Sequence, residues 1–377
     1  MQAWVFQERK QVAKLGNAAP WVVGWYAPDG KRKQKTIGPK SKAEAYARKI
    51  EGQLAAGTYQ DNTHKTWKEF RKEYEEKILS RTKPGTKRCT LDAMNQFEKI
   101  IKPAKMRGIK TQTIDEFIAK RSKQRGAKKK SKISPATINK ELRHLKAVLR
   151  KARKWKYLAE VPDFEMLREP SKLPRYVEPA HFAAIYGACD VAERPTGKRL
   201  QYSPADWWRA LMVFCYMTGW RINEPLSARR SDVDLDAGTA ITRHANNKGG
   251  RDELAPLHPI IVEHLQKIQS VEPLLFPWPH NERALWTEFH RIQKAAGIHL
   301  PCFEEHEHTD SCHYYGFHDL RRAFATMNAD TLSADALQTL MRHKSYTTTQ
   351  RYINVARQLN RAVADLHVPE ILKKKGG

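Results

Sequence analysis

The spacing of apolar side chains changes character along the chain. Near the N-terminus, aromatic and small residues alternate in three runs, Trp4-Val5-Phe6, Trp21-Val22-Val23-Gly24-Trp25-Tyr26 and Lys33-Gln34-Lys35-Thr36-Ile37. A period near two, with Pro28-Asp29-Gly30 as a turn between the last two runs, predicts a small antiparallel sheet of three strands. Ser41, with Glu44 three residues later, predicts the cap of a helix carrying Ala43, Ala45, Ala47, Ile50 and Leu54. Residues 1–60 therefore read as a compact sheet-plus-helix unit ending near Gly57. Its aromatics are packing anchors first, because so short a segment has little else to fill a core.

From residue 62 to 168 the period lengthens to that of helices. Trp67, Phe70, Tyr74 and Ile78 share one face, as do Leu91, Met94, Phe97 and Ile101. Another helix begins at Thr113. Ser134-Pro135 starts a fourth, with Ile138, Leu142, Leu145, Val148 and Leu149 on one side and Lys140, Arg143, Lys146 and Arg150 on the other. Arg125 to Lys132 reads as a basic loop that includes Lys128, Lys129 and Lys130. Glu169 to Arg175 is flanked by prolines and reads as a linker. From 174 to 377 the pattern is mixed. Helices are expected near 179–189, 205–218, 259–269, 281–296, 317–329, 333–342 and 347–365. Short strands are expected at 238–242 and 252–257, joined by the hairpin tip Asn246-Asn247-Lys248-Gly249-Gly250.

Composition narrows the function. The 377 residues carry 68 Lys and Arg against 41 Asp and Glu, a formal charge of +27. Residues 62–165 alone hold 30 basic and 12 acidic side chains, so two-thirds of the excess lies in about a quarter of the chain. Such a surface calls for a polyanionic partner, nucleic acid first. Disorder is a poor account, because 40% of the residues are hydrophobic, with 10 Trp, 13 Tyr and 12 Phe. A membrane role is not expected: the longest apolar run is about Ala210 to Met217, well short of the roughly 20 residues of a span. The charged N-terminus does not resemble a signal peptide, and five scattered cysteines are no disulfide framework. A soluble, intracellular, cytoplasmic protein associated with the nucleoid is the expectation.

The sequence contains no phosphate-cradling Gly-x-x-x-x-Gly-Lys loop, no Gly-x-Ser-x-Gly elbow and no paired acidic motif for two-metal chemistry. The C-terminal segment instead carries a series of cations and one tyrosine: Thr218-Gly219-Trp220-Arg221-Ile222-Asn223-Glu224, then Lys248, then His318-Asp319-Leu320-Arg321, then His343-Lys344-Ser345 through Arg351-Tyr352. Taken singly, Arg221 or Arg321 reads as a surface salt-bridge former, His318 as a capping or core histidine, and Tyr352 as a packed helix residue. In this order and at this spacing they resemble the catalytic half of the tyrosine recombinases, the phage integrase family.

The resemblance implies an α+β multi-domain chain, mainly helical: an arm-site-type DNA-binding unit at 1–60, a helical core-site-binding domain at 62–168, and a mixed catalytic domain at 174–377. It implies a site-specific recombinase that cleaves and rejoins DNA through a 3′-phosphotyrosyl bond on Tyr352, integrating or excising a mobile element, with neither ATP nor a catalytic metal. Arg221 and Arg321 would hold the nonbridging oxygens, since guanidinium is a planar and always-charged fork. His343 would add a third donor, His318 would accept the phenol proton, and Lys248 would protonate the leaving 5′ oxygen. Glu224, read as one turn after Arg221 on the same helix, would orient the cations. Lys128, Lys129, Lys130, Lys140, Arg143, Lys146 and Arg150 are the candidate DNA contacts. The implied partners are double-stranded DNA at attachment sites, a homotetramer on that DNA, and host bending or excision factors. The tail with Val355, Leu359, Val363, Leu366 and Val368 has amphipathic spacing of its own and would pack on its own domain or dock on a neighbour, the latter being the preferred reading.

Two positions depart from the family pattern. Arg342 stands where the family often has glycine before the second histidine, which puts the local turn in question or adds a phosphate contact. Arg322 stands where His or Lys is common. Rival readings are a type IB-like topoisomerase, a DNA-binding regulator that has lost catalysis, and a zinc-dependent nuclease. The last is raised by Cys302, His306, His308 and Cys312, whose four-residue spacings within an insertion at 300–316 suit tetrahedral zinc. A structural ion is the better reading there, because no open-site His-Glu-x-x-His pattern accompanies the cluster. The plain alternative is a His-rich solvent loop.

Overall fold

The computed structural model describes residues 3–28, 30–57, 59, 65–170, 173–244, 252–304 and 306–354. Its contacts divide the chain into two compact units, Met1–Glu169 and Pro170–Gly377. The fold is mainly helical with two small antiparallel sheets.

In the first unit, β1 (Ala3–Gln7), β2 (Trp21–Tyr26) and β3 (Arg32–Gly38) pair antiparallel in chain order, with Val5 opposite Val23 and Val23 opposite Lys35. The connection between β1 and β2 holds α1 (Arg9–Leu15), a helix without buried residues that no apolar stripe announces. Helix α2 (Lys40–Ala55) lays Ala43, Ala47, Ile50 and Leu54 into a core with Val23 and Trp25. Ser41 does not cap it. The helix begins two residues earlier than a Ser41 cap would place it, after Pro39 in extended geometry, so Ser41 lies inside the first turn and no side chain caps the end.

Helices α3 (Trp67–Lys77), α4 (Pro84–Ile101), α5 (Thr111–Ser122) and α6 (Pro135–Lys154) enclose a second core of Phe70, Phe97, Phe117, Leu142, Leu145 and Leu149. Thr66 and Glu69 form a reciprocal capping box at α3, and Ser134 accepts from the Thr137 N–H at α6. Arg121 and Glu141 make a bidentate ion pair of 2.9 and 2.7 Å between α5 and α6. With both side chains about one-tenth exposed, that pair is a specific fastening between helices.

The second unit is built on α8 (Pro204–Thr218), an apolar helix that is buried along most of its length. Around its core lie α7 (Pro179–Gly187), α10 (Pro259–Gln266), α11 (Glu282–Ala295) and α12 (Phe317–Asn328). Phe317 opens α12 by stacking on Phe289 at 4.5 Å, which seats the start of the helix against α11. A short helix, α9 (Asn223–Ser227), and a sheet of β4 (Val233–Asp234), β5 (Thr239–Thr242) and β6 (Glu253–Pro256) follow α8 in sequence. A separate small cluster of Phe324, Ala325, Leu337, Met341 and Ile353 joins α12 to α13 (Ala334–Leu340) and to the segment after α14 (Tyr346–Gln350).

The expected helix over 347–365 is therefore much shorter where it is described, and Tyr352 lies just beyond its end. Arg221 is also not on one helix with Glu224, because Gly219 ends α8 in a left-handed turn and Arg221 precedes α9. Lys248 with its hairpin tip, and the tail residues Val355 to Val368, lie outside the described residues.

Candidate active site

Five expected side chains, Arg221, His318, Arg321, His343 and Tyr352, come from the turn between α8 and α9, from α12, from the loop after α13 and from the residues after α14. The Nε2 of His318 is 2.9 Å from the Tyr352 hydroxyl, with ring centroids 5.2 Å apart. The Tyr352 ring also lies 5.0 Å from that of His343 and 5.4 Å from the Arg321 guanidinium carbon. The nucleophile candidate is thus held on the same chain as the arginines. Ile353 anchors the adjacent position in the small apolar cluster, and the Asn354 N–H donates to Thr326 at 3.0 Å.

Arg321 is wholly buried. It donates to the Gly219 and Met341 carbonyls and, at 2.9 Å, to His343 Nε2, whereas its Nε has no partner among the described residues. Gly219 is required at this junction by two constraints: its φ is +63°, and a Cβ there would stand 2.6 Å from Phe324. Burial, reinforced by Arg221 and Arg342, pushes the Arg321 pKa down, so this cation is short of negative charge. A phosphate would supply it.

The partners of His343 fix its tautomer. An arginine can only donate, so Nε2 is the acceptor, and Nδ1–H donates to Thr349 Oγ1 at 3.0 Å. Burial, with Arg321, Arg221, Arg342 and His318 nearby, pushes its pKa down to about 3. His343 is neutral at pH 7 and engaged at both nitrogens, so the third-donor role expected from sequence is not what this geometry displays. His318 is also pushed below the ordinary imidazole value, by lost hydration and then by Arg322, Arg321 and Arg221. A neutral imidazole beside a phenol is an acceptor for its proton.

Glu224 is the hub of the cations. It accepts from the Arg221 N–H at 2.8 Å and from Arg221 Nη1 at 3.1 Å, and Arg342 Nη2 donates to it at 2.5 Å. Arg342 adopts φ +52° and lies over the Trp220 ring at 4.6 Å. It is a buried partner of Glu224 and not a solvent-facing phosphate contact. Sequence reading also passed over Asp319, which is buried. Asp319 accepts from the Gly316 N–H at 2.9 Å, from Arg322 at 2.8 Å and from Arg175 at 3.3 Å, fixing the start of α12. Its place inside the His318–Arg321 motif was the signal available.

Known proteins resemble this chain in sequence and in fold. Residues 195–358 match the Phage integrase family, and residues 66–166 match the Phage integrase SAM-like domain. The chain belongs to the phage integrase family. Tyrosine recombinase XerD of Ralstonia nicotianae is 27% identical over 218 residues, spanning 54% of this chain and 63% of that relative. Tyrosine recombinase XerC of Bacillus subtilis is 24% identical over 259 residues, 64% of this chain and 78% of the relative. A lambda integrase dimer bound to a COC′ core site shares the fold at a TM-score of 0.56 and 17% identity, over 92% of this chain and 93% of that one. The Tn1549 transposon integrase in complex with circular intermediate DNA does so at 0.57 and 18%, over 79% and 98%.

In this phage integrase family chain the candidate DNA contacts take their places on the helical core of the first unit. Lys140, Arg143 and Arg150 are exposed along α6, Lys146 is half-buried with its ammonium 5.6 Å from the Phe164 ring, and Lys128 to Lys130 form the exposed turn before α6. The Cys302, His306, His308 and Cys312 ligand atoms all lie within 4.8 Å of one another. No helix among the described residues is long and apolar enough to cross a membrane.

Proposed function

We propose that this chain is a site-specific DNA recombinase that integrates or excises a mobile element through a phosphotyrosyl intermediate. The observation that carries the reading is the 2.9 Å contact between Tyr352 Oη and His318 Nε2, beside a buried Arg321 with an unused Nε donor. Tyr352 Oη attacks the scissile phosphorus as its proton passes to His318. The bond from phosphorus to the 5′ oxygen breaks, and Lys248 protonates that oxygen. Arg221 and Arg321 offset the charge that builds on the nonbridging oxygens. Attack by a 5′-hydroxyl from a partner duplex reverses the step and exchanges strands, so the phosphodiester energy is conserved without ATP.

The domain assignments belong to the same proposal: residues 1–60 for arm-type sites, 62–168 for core sites through α6 and the Lys128–Lys130 turn, and 174–377 for catalysis. Four protomers on two duplexes, in the cytoplasm at the nucleoid, with host bending or excision factors, complete it. Catalysis takes no metal, and any zinc on Cys302, His306, His308 and Cys312 is structural.

The test is incubation with sheared host genomic DNA in chelator, detergent denaturation, nuclease digestion and peptide mass mapping. A nucleotide adduct on Tyr352 that is absent from Tyr352→Phe supports the proposal. Tight, salt-sensitive binding with no adduct would leave a DNA-binding regulator, and activity that needs zinc would indicate a metal nuclease.

A further inference from the structure

The segment from Pro301 to Cys312 is folded inside out. Its one large apolar side chain, Phe303, is 93% exposed, whereas the side chains turned inward are Cys302, His306 and Cys312. The His306 side chain is 2% exposed, with Nε2 3.0 Å from Cys312 Sγ and 3.9 Å from Cys302 Sγ. Hydrophobic burial contributes little to such a loop, and two thiols and two imidazoles drawn this close together are the donor set of a tetrahedral metal site.

We infer that Cys302, His306, His308 and Cys312 form a preorganised site for one tetrahedral Zn²⁺ ion that is the core of this loop. The inference deepens the structural-zinc reading above and is independent of the chemistry on Tyr352. Zn–S bonds of about 2.3 Å and Zn–N bonds of about 2.0–2.1 Å place the ligand atoms of a tetrahedron roughly 3.3–3.8 Å apart. The two His306 contacts bracket that range, and the outer limit of 4.8 Å closes with a side-chain adjustment of about 1 Å. Two thiolates neutralise the ion, and a Glu304 carboxylate oxygen lies 3.8 Å from His306 Nδ1, on the side of the ring away from the thiols. The Thr309 hydroxyl, 3.5 Å from Cys312 Sγ, is placed to donate to a thiolate. Four protein ligands leave no open position for a substrate, which makes the site structural.

The stem of the loop is tied without metal. The Leu300 N–H donates to the His313 carbonyl at 2.9 Å, and His313 Nδ1 donates to the Leu300 carbonyl at 2.7 Å. Beyond it, Gln293 brackets Tyr315 with bonds of 2.7 and 3.1 Å. Metal loss should therefore open 301–312 and leave α12, with His318 and Arg321, in place.

The full chain, purified without added metal, is assayed for metal content and titrated with Co²⁺ after zinc removal by a chelator under reducing conditions and removal of the chelator. The expected result is about one zinc per chain, strong visible absorption from tetrahedral cobalt–thiolate, and less than about a tenth of the zinc in Cys302→Ser with Cys312→Ser. Zinc release should add protease cleavage within 301–312 alone. Absence of zinc with only weak octahedral cobalt absorption overturns the site, as does a Cys302–Cys312 disulfide found by mass mapping of the untreated protein. Stoichiometric zinc in a protein that forms no Tyr352 adduct would confirm the site and refute only the recombinase reading.

Discussion

Arg342 and Glu224 lie 118 positions apart and meet in a buried pair at 2.5 Å, made by an arginine whose backbone is left-handed at φ +52°. The same carboxylate holds the Arg221 side chain, so Arg342 is a positioning residue for a cation it does not touch. Arg342→Ala should destabilise the protein by about 3–5 kcal/mol, as expected for breaking a buried ion pair. Arg342→Gly should recover about 1 kcal/mol of that, because glycine adopts this φ without a Cβ clash. Denaturant unfolding of the pair checks the order, and equal stabilities would refute the strain. In both variants Glu224 loses its second cation and no longer holds Arg221 in a fixed position, so adduct formation should fall even at saturating DNA.

His318 is neutral down to below the ordinary imidazole pKa, because of lost hydration and the Arg322, Arg321 and Arg221 charges. A base works only when unprotonated, so the single-turnover cleavage rate should stay level as pH falls to about 6.5 and drop only below it. Arg322→Gln removes one of the cations and should move that acid limb upward. A limb that stays put in this variant would mean that His318 does not govern the profile.

His343 makes the fold acid-sensitive. Its folded pKa of about 3 lies below the unfolded histidine value, so the unfolded chain binds a proton in this interval that the folded chain does not. This contribution is complete above about pH 6.5 and is lost as pH falls from there toward about 3. Stability curves measured by urea unfolding should be flatter across that window in His343→Gln. The substitution should also cost stability at pH 7, because Arg321 and Thr349 both lose a partner.

Gly219 carries a strict steric demand. Gly219→Ala places a methyl 2.6 Å from Phe324 in a left-handed backbone. The backbone term alone is about 1–2 kcal/mol, and displacing the ring adds about 1–3 kcal/mol. Since the Gly219 carbonyl accepts from Arg321, adduct formation should fall along with the melting temperature. Unchanged melting would show that the α8 turn relaxes freely.

Replacing Lys128, Lys129 and Lys130 together with glutamine should weaken DNA binding and lower the slope of log affinity against log salt by roughly 0.9 for each phosphate no longer neutralised. Once the protein is saturated with DNA, the yield of Tyr352 adduct should match the unaltered chain. A slope that does not change removes these lysines from the interface.

Local patterning carried a large part of this molecule. The strand runs Trp4–Phe6 and Trp21–Tyr26, the Ser134 cap and the apolar face of α6 depend on neighbours a few residues away, so periodicity exposes them. The order of Arg221, His318, Arg321, His343 and Tyr352 was legible for another reason: reaction chemistry constrains residue type and spacing. Elements without an apolar stripe were missed, α1 above all, and the Ser41 cap failed because Pro39 set the helix start two residues earlier.

Partner choice among the polar groups came from the tertiary structure. One-dimensional reading placed Glu224 with Arg221 but not with Arg342, and it left His343 as a free donor. Which nitrogen of His343 is protonated, which donors of Arg321 and Arg342 are left unused, and which way Phe303 faces all depend on atoms brought together from distant positions. Sequence specifies the groups available and the period of their burial. Only packing determines which of them lose water together, and that shared loss of solvent sets their pairing and their charge.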